Sequence, residues 1–158
     1  MRKTRGVYYT PLPMVRFIVR AIDDILKNNF GMSKGLADKT LTALDFAAGT
    51  GTFLLETMRL VLNGKSQAER KLLTKEHLLK NCYGFEFLIA PYAIAHLKLS
   101  QFLADMKCGI DENLQEKQLK IYLTNTLEQA NGQGELNLLP CSVTKHEGPA
   151  KSKKARYW

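Results

Sequence analysis

Apolar positions along this chain follow two rhythms, a helical period over long stretches and short continuous runs between them. Val15, Ile18, Val19, Ile22, Ile25 and Leu26 recur at helical spacing, while Arg16, Arg20, Asp23, Asp24 and Lys27 face elsewhere. The pattern predicts a helix that opens at Thr10 as N-cap with Pro11 in its first turn, and that ends near Asn28-Asn29. Residues 33–40 read as a loop, and Leu41 to Phe46 as a buried strand. A helix from about Thr52 to Leu62 follows, stopped by Asn63-Gly64. Ser66 to Lys80 reads as a solvent-facing helix with Leu72, Leu73, Leu78 and Leu79 as its apolar side. Cys82 to Phe85 is a second short strand, ending in Glu86. The next helix, Ile89 to Met106 with Pro91 in its first turn, is apolar on more than one face and is expected to be buried. A polar link from Gly109 to Gln118 leads to a third strand, Lys120 to Thr124. Strand, helix, strand, helix, strand in this order predicts an α/β fold with a parallel sheet flanked by helices.

After Thr124 the periodicity fades. Asn131-Gly132-Gln133-Gly134 is turn-like, and Leu136 to Leu139 is too short to assign. From Cys141 on, lysines and small residues dominate, so residues 141–158 read as a basic tail without fixed structure. Residues 1–140 form the expected domain. The net charge of +8 is concentrated at the two ends, Arg2, Lys3 and Arg5 on one side and Lys145, Lys151, Lys153, Lys154 and Arg156 on the other. That placement suits phosphate contact with nucleic acid and equally suits two solvated tails. Three scattered cysteines and three scattered histidines argue against a disulfide framework and a metal site. No apolar run approaches the ~20 residues of a membrane span. The expectation is a soluble, cytoplasmic protein.

The candidate chemistry lies where the first strand ends. Asp45-Phe46-Ala47-Ala48-Gly49-Thr50-Gly51-Thr52-Phe53 turns through two glycines straight into a helix, the usual way an α/β protein shapes a nucleotide pocket. A plain strand–turn–helix connection with glycines for geometry is the alternative. Two other strand ends favour the pocket. Glu86 can accept both hydroxyls of a ribose, although it lies 35 positions after Gly51 where the usual gap is ~20. The Ser66–Lys80 segment accounts for the excess. Thr124-Asn125-Thr126 places polar groups where a base edge is read.

Tyr8-Tyr9-Thr10-Pro11, the glycine turn, Gly84-Phe85-Glu86 and Asn125-Thr126-Leu127 together resemble the amino-terminal half of an adenine-N6 DNA methyltransferase domain. The resemblance is greatest to the methylase part of single-chain restriction–modification enzymes. It implies the Rossmann-like fold of S-adenosylmethionine-dependent methyltransferases, incomplete on its carboxyl-terminal side, with S-adenosyl-L-methionine as cofactor and DNA as partner of the complete enzyme. Carried over by position, Tyr9, Thr10, Pro11, Ala48, Gly49, Thr50 and Gly51 would hold the methionine portion, and Asp45 its amino group. Glu86 would take the ribose hydroxyls, Phe87 or Leu88 would flank the adenine, and Asn125 with Thr126 would meet the adenine edge.

The family's catalytic Asn/Asp-Pro-Pro-aromatic motif is missing, since no two of Pro11, Pro13, Pro91, Pro140 and Pro149 are adjacent. The expectation is therefore a truncated chain: a natural fragment, a reading-frame remnant or an engineered piece. It would be inactive alone, with an open sheet edge after the third strand and a possible complementing chain. Two other readings stand beside it. One is a methyltransferase acting on RNA or protein, and the other is a non-catalytic fragment that binds nucleotide or a partner subunit.

Overall fold

The computed structural model describes residues 9–108 and 119–126. Its elements are α1 (Leu12–Asn29), β1 (Ala43–Asp45), α2 (Thr52–Leu62), α3 (Gln67–Leu73), α4 (Leu79–Asn81), β2 (Cys82–Glu86), α5 (Ile89–Asp105) and β3 (Lys120–Leu123). The three strands form a parallel sheet in the order β1-β2-β3. Ala43 pairs with Cys82 and Asp45 with Gly84, while Glu86 pairs with Leu123, so all three strands present their carboxyl ends on one side. This is the expected α/β architecture, a small parallel sheet flanked by helices, consistent with an incomplete Rossmann-like fold. The link at 109–118 and the segments 1–8 and 127–158, with the turn at Asn131–Gly134 and the basic tail, lie outside the described residues.

The core is built where the helices meet the sheet. Val15 and Val19 of α1, Leu54, Met58, Val61 and Leu62 of α2, Leu99 and Leu103 of α5 and Ile121 of β3 are all buried. Each such side chain contributes about 1.5–3 kcal/mol by leaving water. The bounds of α2 match the sequence pattern. Those of β1 do not: only three residues form the strand, and Leu44 and Phe46 are exposed. Among the described residues β1 is an edge strand and nothing covers the face that carries Leu44 and Phe46, so the apolar run is not buried. Among the described residues the sheet is therefore open at β1 as well as at β3, not only after the third strand.

Four further local expectations are corrected. Pro11, not Thr10, occupies the N-cap of α1, and no side chain caps that end. Ile22 and Ile25 are exposed, whereas Asp23, expected to face elsewhere, is buried. α5 buries one face only, through Pro91, Tyr92, Ala95, Leu99 and Leu103, and leaves Ile89 and Leu97 in solvent. The charged segment before β2 is not one solvent-facing helix. α3 starts with a Ser66–Glu69 capping box, and a π-helical turn at Thr74–Leu78 then rotates the chain. Leu78, Leu79, Thr74 and His77 end up buried and Leu72 exposed.

Two of these buried polar groups clamp one residue. Asp23 Oδ1 accepts the Leu36 N–H at 2.8 Å, and Lys27 closes on its other oxygen. His77 Nε2 lies 2.8 Å from the Leu36 carbonyl, and Asn81 Nδ2 lies 3.2 Å from His77 Nδ1. A proton on Nε2 satisfies both contacts. Leu36 thus has its donor and its acceptor held by side chains 13 positions before it and 41 positions after it, which fixes the 3₁₀ turn Gly35–Ala37 between α1 and β1. Cys82 and Cys108 are free and buried, and burial pushes the Cys82 thiol up to about 11. Replacing Asp23 with Ala leaves the buried Leu36 N–H without a partner. A loss of about 1.5–3 kcal/mol is expected by urea denaturation, and Lys27→Ala should also destabilise the chain, since it leaves the buried Asp23 Oδ2 without its cation.

Candidate functional site

The turn after β1 is tied to β2 by two hydrogen bonds. The Ala48 N–H donates to the Phe85 carbonyl at 2.8 Å, and the Gly49 N–H donates to Glu86 Oε2 at 2.8 Å. The other carboxylate oxygen of Glu86 accepts the Leu88 N–H at 2.8 Å. One side chain thereby fixes the glycine turn and the start of α5 together. Gly49 and Gly51 adopt φ of +56° and +73°, the left-handed region that costs glycine nothing. Gly51 also caps α2, and a Cβ there would meet Ala95 Cβ at 3.1 Å. A Cβ at Gly84 would meet Leu54 Cδ1 at 2.9 Å, so this strand position must be bare for α2 to lie against β2.

No side chain caps the first turn of α2, which leaves a helix N-terminus facing the turn. Thr50 and Thr52 bring their hydroxyls within 3.3 Å of each other there, and Lys98 of α5 reaches both, at 3.5 and 3.4 Å. Lys98 is a cation at this turn that the sequence did not announce. It lies 48 positions from Thr50, and only the packing of α5 against α2 brings it near.

Asp45 is the electrostatic centre of the site. Its Oδ1 accepts the Ala47 N–H at 3.2 Å, while its Oδ2 is buried with no hydrogen-bond partner among the described residues. Burial raises its carboxyl above the ordinary value of 3.8; the Ala47 N–H opposes this and the neighbouring Glu86 charge adds to it. A buried, partnerless carboxylate oxygen favours a cationic, hydrogen-donating ligand group beside it.

The expected site residues fall into two connected groups. Ala48, Gly49, Thr50, Gly51 and Glu86 are joined by the bonds above. Thr10 and Asp45, with Phe46 and Ala47, line one end of a cavity of about 660 Å³ between α1 and β1, whose inner wall includes Ile18, Leu26, Leu36 and Leu41. Glu86 does not line that cavity. Thr126 Oγ1 reaches the Phe46 carbonyl at 3.4 Å, which sets the end of β3 beside the end of β1. Asn125, partly exposed, sits on the same edge. Tyr9, Pro11 and Phe87 are exposed at the margin, Tyr9 and Phe87 at 62% and 63%.

Because the folded-state Asp45 carboxyl is raised, the native chain binds more protons than the unfolded chain between the ordinary value and the raised one. Stability therefore falls as pH rises through that window. Asp45→Asn removes this penalty. Its urea midpoint should exceed that of the unsubstituted chain at pH 7, with the gap closing as the pH is lowered towards 3.8.

Comparison with known proteins adds a family. A model of N-6 DNA methylases matches residues 1–138. A nuclease-deletion mutant of the Type ISP restriction-modification enzyme LlaGI, solved with a DNA substrate mimic, is similar at 30% identity and a TM-score of 0.65, over 85% of this chain and 11% of that one. The ATP-dependent Type ISP enzyme LlaBIII bound to DNA is similar at 27% identity and 0.62, over 86% and 9%. A DrdV–DNA complex is similar at 33% identity and 0.54, over 65% and 9%. The chain thus spans about a tenth of the length of these enzymes. No curated protein sequence matches it.

Proposed function

The chain belongs to the N-6 DNA methylase family, and we propose that its glycine turn holds S-adenosylmethionine for methylation of adenine N6 in DNA. The observation that carries this reading is the buried, partnerless Oδ2 of Asp45 beside a turn whose backbone is held open by Glu86. In this reading the methionine amino group, a cationic donor, meets Asp45, and its carboxylate meets the uncapped first turn of α2. Thr10, which lines the cavity, closes over the methionine portion together with its exposed neighbours Tyr9 and Pro11. Glu86 spends one lone pair of each oxygen on Gly49 and Leu88, and the remaining lone pairs accept the ribose hydroxyls. Phe87 packs against the adenine, and Asn125 with Thr126 reads its edge. When bound, the cofactor supplies an electrophilic methyl group on sulfur.

The residues of this chain supply binding and orientation. The polarisation of a target amino group by an Asn/Asp-Pro-Pro-aromatic motif has no counterpart in the sequence, which contains no adjacent prolines. We therefore read the chain as the donor-binding part of a restriction–modification methyltransferase, without methyl transfer of its own, and DNA as the partner of the complete enzyme. The open edge at β1 favours a complementing chain. There one added strand would pair the free backbone edge of β1, beside Leu44 and Phe46, which are 53% and 69% exposed.

Calorimetric titration with S-adenosylmethionine tests the site. Glu86→Ala should weaken binding by about 1.5–3 kcal/mol, the worth of hydrogen bonds to a charged group. Asp45→Asn should weaken it while raising the stability of the free chain, a separation that simple unfolding cannot produce. Equal affinities in all three proteins would remove both carboxylates from the site. A radiolabelled methyl-transfer assay on unmethylated DNA should give no product with this chain alone, and turnover would require a catalytic group outside those named.

A further inference from the structure

Away from the strand ends, α1 and α2 enclose a second concavity of about 240 Å³. Arg16 and Arg20 line it from α1, Arg59 and Asn63 from α2 and its end, and Val19 and Leu60 form an apolar floor. At its base lies Glu56, 6% exposed. Glu56 Oε2 takes Arg16 Nε and Oε1 takes Arg59 Nε, each at 3.2 Å. Phe102 backs Arg59, its ring centroid 5.5 Å from the guanidinium carbon. Arg20 pairs with no carboxylate among the described residues.

An ion-pair clamp joining two helices would need one carboxylate and two guanidinium groups. A third arginine in the same concavity adds only repulsion to such a clamp, and leaves an excess of two positive charges over Glu56. The geometry also spares the donors that matter. Glu56 engages each arginine through Nε, and among the described residues no partner takes the Nη groups. Four donors on each guanidinium therefore remain for an oxyanion, and the Asn63 amide adds more. Because Glu56 is buried and the Phe102 ring lies behind Arg59, two of the three arginines are held in place before any ligand arrives. From this we propose that Arg16, Arg20, Arg59 and Asn63 form a phosphate-binding site on the α1–α2 surface, separate from the glycine turn. The phosphate comes either from a nucleic-acid backbone or from a free phosphate ion. Only the first source rests on the DNA reading above.

Arg20→Gln is the variant of choice, because Arg20 makes no hydrogen bond or ion pair with a side chain among the described residues and its loss leaves the Arg16–Glu56–Arg59 clamp intact. With a labelled 20-base-pair duplex followed by anisotropy, a backbone source predicts severalfold weaker binding by the variant. It also predicts a plot of log K against log salt shallower by about 1. With inorganic phosphate against chloride at equal ionic strength, a free-ion source predicts a rise in thermal midpoint for the unsubstituted chain that Arg20→Gln abolishes. If neither the duplex nor the phosphate distinguishes the two proteins, the site does not exist as proposed. S-adenosylmethionine titration of the same variant keeps the two readings apart. Unchanged cofactor affinity is expected, and a chain that binds no cofactor yet passes either arm would retain this site while losing the other. Loss of cofactor binding in Arg20→Gln alone would overturn the claim that the sites are separate.

Discussion

A carboxylate on one strand tip holds the backbone of the turn on the next. The bond from the Gly49 N–H to Glu86 Oε2, with the neighbouring bond from Ala48 to Phe85, joins β1's turn to β2. Most of what surrounds the turn depends on this seam. The left-handed glycines can remain open because the turn is held from outside, and α2 can begin at Gly51 without a side-chain cap because the turn delivers it in place. The same carboxylate also receives Leu88 and so sets the start of α5, which returns Ala95 and Lys98 against the turn. Removing the Glu86 charge therefore alters the shape of the turn as well as its ligand chemistry.

The seam also adds to a tension at Asp45 that comes mainly from burial. Glu86 brings a second negative charge close to a carboxylate that burial already disfavours, and Asp45 Oδ2 is left without a donor. Burial of apolar side chains such as Leu54, Met58 and Leu99 in the adjoining core offsets this cost. A polar group kept buried and unpaired among the described residues at a strand end is consistent with the ligand site proposed above. Here the partner that fits is positive and donates hydrogen bonds.

Much of the fold was legible because its signals are local. The glycines after Asp45, the stop at Asn63-Gly64 and the run from Cys82 to Glu86 lie within a few residues of the elements they punctuate. What could not be read depends on contacts distant in sequence. Asp23 looked solvated because its partner, the Leu36 N–H, is 13 positions away and is a backbone group. Leu41 to Phe46 looked buried because apolar content does not reveal that a strand will lie at an edge. The π-helical turn that buries His77 leaves no periodic trace, since it rotates the face in mid-segment. At the site, Asp45, the glycine pair and Glu86 could be named from their spacing and from the family resemblance. Lys98 and the arginine concavity could not, since they exist only where helices cross.

Amide chemical-shift mapping by NMR during S-adenosylmethionine titration tests the central claim most directly, because it reads the turn itself. The account predicts saturable shifts at Ala47, Gly49, Gly51, Thr52 and Leu88, extending to Asn125 and Thr126, with the α1–α2 surface around Arg20 and Asn63 unmoved. Shifts absent from the glycine turn at saturating cofactor, or confined to the arginine surface, would contradict it.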